Sequence, residues 1–138
     1  DHAGFDLKEQ VKRLLEEFSH RVNDEGTFSD ESTDYPDFAR RVSQAVSKGT
    51  VDRGILICGT GIGMSIVANK FEGVRAALCH NIETAQMSRL HNDSNILALG
   101  SRVLDQEAAL NIVREWLQTD FSGGRHQKRL DKIKGLGG

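Results

Sequence analysis

Gly54-Ile55-Leu56-Ile57-Cys58 runs straight into Gly59-Thr60-Gly61-Ile62-Gly63, and the reading of the fold turns on this stretch. The first five residues form a short continuous apolar run, the pattern of a parallel strand buried on both faces. The three glycines that follow Cys58 permit a tight turn with exposed backbone N–H groups. A helix is expected after the turn, over residues 64–69. Strand, glycine turn and helix together open a βαβ unit.

Two more apolar runs lie downstream. Residues 74–79 and 95–99, the latter closed by Gly100, read as the next strands. Between them residues 82–90 read as a helix in which Ala85 and Met87 are expected to be partly buried. Ala108, Leu110, Ile112, Val113, Trp116 and Leu117 then mark a strongly apolar helix, and from about residue 122 the tail is glycine-rich, then basic and helical. Upstream, Leu7, Val11, Leu14, Leu15 and Phe18 recur at helical spacing. A weak strand is expected over 20–24 and a polar loop over 29–34. Pro36 suits a first helical turn, and Phe38, Val42, Ala45 and Val46 continue that helix until Gly49.

Strands alternating with helices predict an α/β fold: a Rossmann-like, three-layer αβα arrangement around a parallel sheet. In such sheets ligands bind at the carboxyl ends of the strands. The chain opens on Asp1-His2-Ala3-Gly4 directly before a helix, where an α/β domain normally has a buried strand. The sheet is therefore expected to lack its first strand, as in a chain truncated at that end.

The 138 residues fit one domain. A hydrophobic share of 38% with 28% charged residues is that of an ordinary globule, and a net charge of −2 exerts no general pull on nucleic acid or membrane. No apolar run approaches the roughly 18 residues of a membrane span. The opening shows no signal or transit pattern, and two cysteines make no disulfide framework, so a cytoplasmic setting is expected.

Cys58 stands at a strand end before a glycine loop whose N–H groups, with the next helix, suit an anion. A thiol in such a place is favoured as thiolate and could abstract a proton next to a carbonyl. The competing reading is a buried small hydrophobe. The loop lacks the Lys-Ser/Thr of a P-loop and is not G-x-G-x-x-G. His91 and Asn92, before Asp93, could move protons or simply end a helix. Arg102 follows the third strand. Arg125 and Arg129, four apart, share a helix face and suit a phosphate, or belong to a solvated basic tail. Asp1 and His2 would stand at the end of the lacking strand, and Tyr35 is either a helix entry or a pocket wall. Cys79 reads as core. A zinc site from Cys58, Cys79, His80 and His91 matches no ligand spacing.

In order along the chain, Asp1-His2-Ala3-Gly4, Asp34-Tyr35-Pro36-Asp37, Ile57 to Ser65, Ala68-Asn69-Lys70, His91 to Asn95 and Gly123-Gly124-Arg125-His126 closely resemble the sugar-phosphate isomerase family of type B ribose-5-phosphate isomerases and galactose-6-phosphate isomerase subunits. The resemblance spans nearly the whole chain. It implies a cofactor-free, metal-free aldose–ketose isomerase of ribose 5-phosphate and ribulose 5-phosphate, at a step of the pentose phosphate pathway. It also implies a homodimer or tetramer with active sites at the interface. Carried over by residue, Cys58 is the base, and Gly59, Gly61, Ile62 and Gly63 supply the enediolate's anion hole with support from Thr60. His91 opens the ring with Asp1 nearby, and Asn92 and Tyr35 contact substrate. His2, Arg102, Arg125 and Arg129 clamp the phosphate. The alternatives are a six-carbon substrate, allose 6-phosphate or galactose 6-phosphate, and a non-catalytic sugar-phosphate-binding module. A purely structural role fits the polar set least.

Overall fold

The computed structural model describes residues 1–136, so the last two residues of the expected domain lie outside it. A single 3-10 turn over His2–Gly4 leads into α1 (Phe5–Glu17), followed by α2 (Tyr35–Ser47), β1 (Gly54–Cys58), α3 (Ile62–Ala68), β2 (Ala76–Leu78), α4 (Ile82–Asn92), β3 (Ile96–Gly100), α5 (Gln106–Gln118) and α6 (Arg125–Lys134). The strands form one parallel sheet in the order β1-β3-β2, with Cys58 opposite Gly100 and Leu78 opposite Ala98. Helices cover both faces, as the apolar runs require. On one face Leu7, Val11 and Leu14 of α1 and Ala109, Ile112, Val113 and Trp116 of α5 pack on Ile57, Leu97 and Leu99. On the other, Ala39 and Val46 of α2 and Met64 and Ala68 of α3 pack on Leu56, Cys58 and Ile96.

β3 is the central strand, and all five of its residues are buried. Among the described residues β1 pairs with no strand on its outer edge. A cavity of about 770 Å³ runs along that edge, with Val11, Leu15, Phe38, Val42 and Ile55 in its wall. The open edge agrees with the expectation of a sheet without its first strand.

Boundaries moved where side chains outbid the local pattern. β1 has the expected bounds, whereas β2 keeps only Ala76–Leu78, with Val74 and Cys79 buried just outside it. Asn95 precedes β3 because its side chain accepts from the Arg75 amide and donates to the Gly73 carbonyl, at 2.8 Å each. α3 begins at Ile62, two residues early, once Gly61 has turned the chain at φ +81°. The weak strand over 20–24 is corrected: this stretch is irregular. It has one apolar residue, Val22, and is tethered instead by Asp24, which takes Lys8 at 2.6 Å and the Gly26 amide at 2.9 Å. Met87 is also corrected, since it lies outside at 38% exposure. The inward face of α4 is Ala85, Ser88 and Arg89, so two polar residues occupy the face that an apolar pattern assigns elsewhere.

Ser43 of α2 is fully buried, and among the described residues its hydroxyl has no hydrogen-bond partner. An unpartnered buried hydroxyl carries its desolvation cost unrepaid. Ser43→Ala is therefore expected to raise the unfolding free energy by about 1 kcal/mol in urea titration, with no effect on ligand binding.

Candidate active site

Cys58 ends β1 on the α2–α3 face, 6% exposed. The turn after it is fixed by close approach. Gly61 stands at positive φ, and a side-chain carbon there would run into Leu78 and the Leu99 backbone. With the chain so folded, the Gly61 amide donates to Cys58 Sγ at 3.1 Å. Such a bond is strongest when the sulfur is a thiolate. The Ile62 amide donates to Thr60 Oγ1 at 3.2 Å. Two of the four expected anion-hole amides are thus engaged within the loop. The first intrahelical bond of α3 is Ser65 N–H to the Gly61 carbonyl, so the Gly63 and Met64 amides are left without helical partners.

Three other segments meet this loop. Asp1 lies beside β1: its nitrogen donates to the Ile57 carbonyl at 2.6 Å, and its carboxylate accepts from the Ala3 amide at 3.0 Å. Ser101 fastens this segment to the sheet, its hydroxyl donating to the Ala3 carbonyl at 2.6 Å while its amide donates to the Cys58 carbonyl at 2.8 Å. Arg102 donates its amide to the Gly59 carbonyl at 3.0 Å, and its guanidinium lies 3.2 Å from where a Gly59 side-chain carbon would be. Tyr35, in the first turn of α2, lays its ring against Gly63, where any side chain would overlap it. Tyr35 is therefore a wall of the loop as well as a helix entry.

His2 is oriented by Thr33. The Thr33 amide donates to His2 Nδ1 at 3.0 Å, and the His2 amide donates to Thr33 Oγ1 at 3.2 Å. An amide cannot accept, so Nδ1 is the acceptor and neutral His2 carries its proton on Nε2, facing away from Thr33. Ser101 and Thr33 are the residues that sequence reasoning missed. Ser101 had a signal, being polar directly after a buried strand. Thr33 had none, since its partner is 31 residues away.

His91 and Asn92 lie elsewhere. α4 runs back from the carboxyl end of β2, so its last turn lies at the amino end of β3, about 13 Å of strand away from Cys58. This turn is fixed from inside. Arg89, 4% exposed, donates to the Thr119 carbonyl at 3.0 Å, the Ser94 carbonyl at 2.6 Å and Asp93 Oδ1 at 2.8 Å. Ser94 Oγ also accepts from Trp116 Nε1 at 2.8 Å. Removing the buried guanidinium leaves the Thr119 and Ser94 carbonyls without their donor, so Arg89→Met is expected to cost about 2 kcal/mol by chemical denaturation.

α6 packs on the same turn. The Ser122 amide and hydroxyl both donate to the Leu90 carbonyl, at 3.1 and 2.6 Å, and α6 carries exposed Arg125 and Arg129 beside His91. The sequence-derived residues thus form two clusters in one chain. Asp1, His2, Tyr35, Cys58, the 59–63 loop with Thr60, and Arg102 are at the carboxyl end of the sheet. His91, Asn92, Arg125 and Arg129 are at the amino end. The four residues expected to clamp a phosphate are divided between them.

The zinc quartet is not assembled. Cys79 is buried on the α1–α5 face, opposite Cys58, and burial pushes its thiol up from the usual range, as for a core residue. Among the described residues no three His, Cys, Asp or Glu groups converge as metal ligands.

A doubly covered parallel sheet with a thiol held in a glycine loop, and a separate histidine–arginine cluster, defines an α/β protein equipped for a small anionic ligand. Residues 1–133 match the ribose/galactose isomerase family, and the chain belongs to that family. It is 52% identical over 136 residues to ribose-5-phosphate isomerase B of Escherichia coli K12, covering 99% of this chain and 91% of the relative. Its structure matches that of Clostridium thermocellum ribose-5-phosphate isomerase B with a TM-score of 0.95 at 53% identity, over 97% of this chain and 90% of that one. It matches the Mycoplasma genitalium ribose-5-phosphate isomerase B with bound ribulose-5-phosphate with a TM-score of 0.93 at 43% identity, again over 97% and 90% of the two chains.

Proposed function

We propose that this chain interconverts ribose 5-phosphate and ribulose 5-phosphate with Cys58 as the base. The observation that carries the reading is the Cys58 sulfur under the Gly61 amide at the carboxyl end of β1, in a chain of this family. As thiolate, Cys58 takes the proton from C2 of the open-chain aldose. The C2–H electron pair becomes the C1=C2 bond, and the carbonyl oxygen O1 takes the negative charge. The Gly63 and Met64 amides, unpaired in the loop, are donors for that charge. The O2 proton passes to O1, O2 becomes the ketone, and the thiol returns its proton to C1. Nothing is oxidised or reduced overall. His91 takes the anomeric hydroxyl proton and supplies one to the ring oxygen when the furanose opens, with Asn92 and Tyr35 on substrate hydroxyls.

The working unit is a homodimer in which one chain's thiol loop meets its partner's His91 cluster. The distance between the two clusters in one chain supports this, as does the apolar surface beside the loop. Ile62 and Ile66, four apart on α3, are 50% and 58% exposed, and Val103 next to Arg102 is 55% exposed. A second copy seated there would cover these side chains and join the two halves of the clamp, His2 and Arg102 with the partner chain's Arg125 and Arg129. Among the described residues no helix is long and apolar enough to cross a membrane. A base that must stay a free thiol fits the reducing cytoplasm.

The test is turnover of a panel of sugar phosphates by the purified chain. Ribose 5-phosphate should be the best substrate by kcat/KM. A preference for allose 6-phosphate or galactose 6-phosphate would move the assignment within the family, and binding without turnover of any sugar phosphate would make this a binding module.

A further inference from the structure

The one stacked ring pair among the described residues is His91 with His126, ring centroids 4.3 Å apart and planes within 18°. The local sequence is built to make this contact. Ser122 is held on the Leu90 carbonyl, one residue before His91. Gly123 and Gly124 then take φ +67° and +58°, a pair of left-handed residues that only glycine adopts readily, and α6 starts immediately after them. The His126 amide closes the turn on the Gly123 carbonyl at 3.2 Å. Leu130, one helical turn on and 8% exposed, anchors the same face of α6. Arg125 and Arg129 leave on an adjacent face. The helix thus presents guanidiniums outward and a flat ring onto His91.

We infer that His126 is a positioning residue for ring opening, which holds the His91 imidazole in the plane and rotamer that reach the furanose. This deepens the proposed function and rests on it. His91 lies in the last turn of α4, which ends at Asn92 before Asp93 leaves the helix at φ +46°, so no later turn of α4 packs over its side chain. A ring face against it restricts its rotation, and orientation of an acid–base group is worth an order of magnitude or more in rate. His126 meets His91 face to face. Partial desolvation, with the nearby charges of His91, Arg125 and Arg129, pushes its proton affinity below the ordinary range.

Ring opening can be separated from isomerisation by the substrate. 4-Deoxyribose 5-phosphate has no O4 and cannot close to a furanose, yet keeps C1 and C2. With the parent as reference, His126→Ala is expected to lower kcat on ribose 5-phosphate about tenfold and to leave 4-deoxyribose 5-phosphate within about twofold. His126→Phe, which keeps a ring face but cannot move a proton, should recover most of the lost rate. Equal loss on both substrates, or no loss on either, overturns the inference while an active parent leaves the isomerase reading standing. Failure of Phe to recover what Ala loses also overturns it, because the contribution is then not the ring face. A folded parent inactive on both substrates overturns the isomerase reading itself, and the inference with it.

Discussion

Cys58→Ala is expected to fold like the parent and to lose turnover of ribose 5-phosphate by about 10³-fold or more, with KM changed by less than about threefold. The fold survives because the side chain lost is small and its neighbours Met64, Leu56 and Ile96 remain packed. The rate is expected to fall because the thiol held against the Gly61 amide, the proposed base, is gone. KM holds because the groups assigned to the phosphate are arginines and His2, which do not touch the sulfur. Cys58→Ser sharpens the result. A hydroxyl can accept from the Gly61 amide as the thiol does, yet it does not ionise near neutral pH, so Ser should be as slow as Ala. Circular dichroism and the unfolding midpoint check the fold, and steady-state kinetics checks the rest. A Cys58→Ala protein with parental turnover would make this cysteine a packing residue.

The second large effect is complementation between inactive chains. Cys58→Ala disables the cluster at the carboxyl end of the sheet, and His91→Ala disables the one at the amino end. Each variant alone should be nearly inactive. In a two-fold dimer with sites shared across the interface, a mixed dimer places both lesions in one site and leaves the other intact. Random exchange makes half the dimers mixed, so the mixture should regain about a quarter of parental activity. Sites contained within one chain would regain none. The expected gain starts from nearly zero, so the measurement is sensitive. It needs only subunit exchange, by dilution or mild denaturant, followed by an assay.

What the sequence disclosed and what it hid divide along physical lines. β1 and its glycine turn were legible because a strand buried on both faces must be apolar throughout and the turn must be glycine where backbones approach. The helices of both layers were legible from apolar stripes, as in α1 and α5. α4 was legible as a helix but not in its facing, because it turns Ser88 and Arg89 inward where their partners Ser94, Thr119 and Asp93 wait. Local periodicity carries no record of those partners. The same holds for Thr33 and Ser101, which act on His2 and Ala3 from 31 and 98 residues away. Cys58, His91 and the arginines were legible as residue types. Their separation to opposite ends of the sheet was not, because it follows from the strand direction that the whole βαβ order sets.

Whether Cys58 moves the C2 proton is read from the fate of that hydrogen in deuterated water. Ribose 5-phosphate is incubated with the protein in D₂O and the products are followed by NMR. A thiol that takes the proton and gives it back exchanges with solvent between the two events, so ribulose 5-phosphate should carry deuterium at C1, and Cys58→Ala should form neither product nor label. A Cys58→Ala protein that forms deuterium-labelled ribulose 5-phosphate at the parental rate would mean that another group takes the C2 proton, and Cys58 would have no part in the reaction.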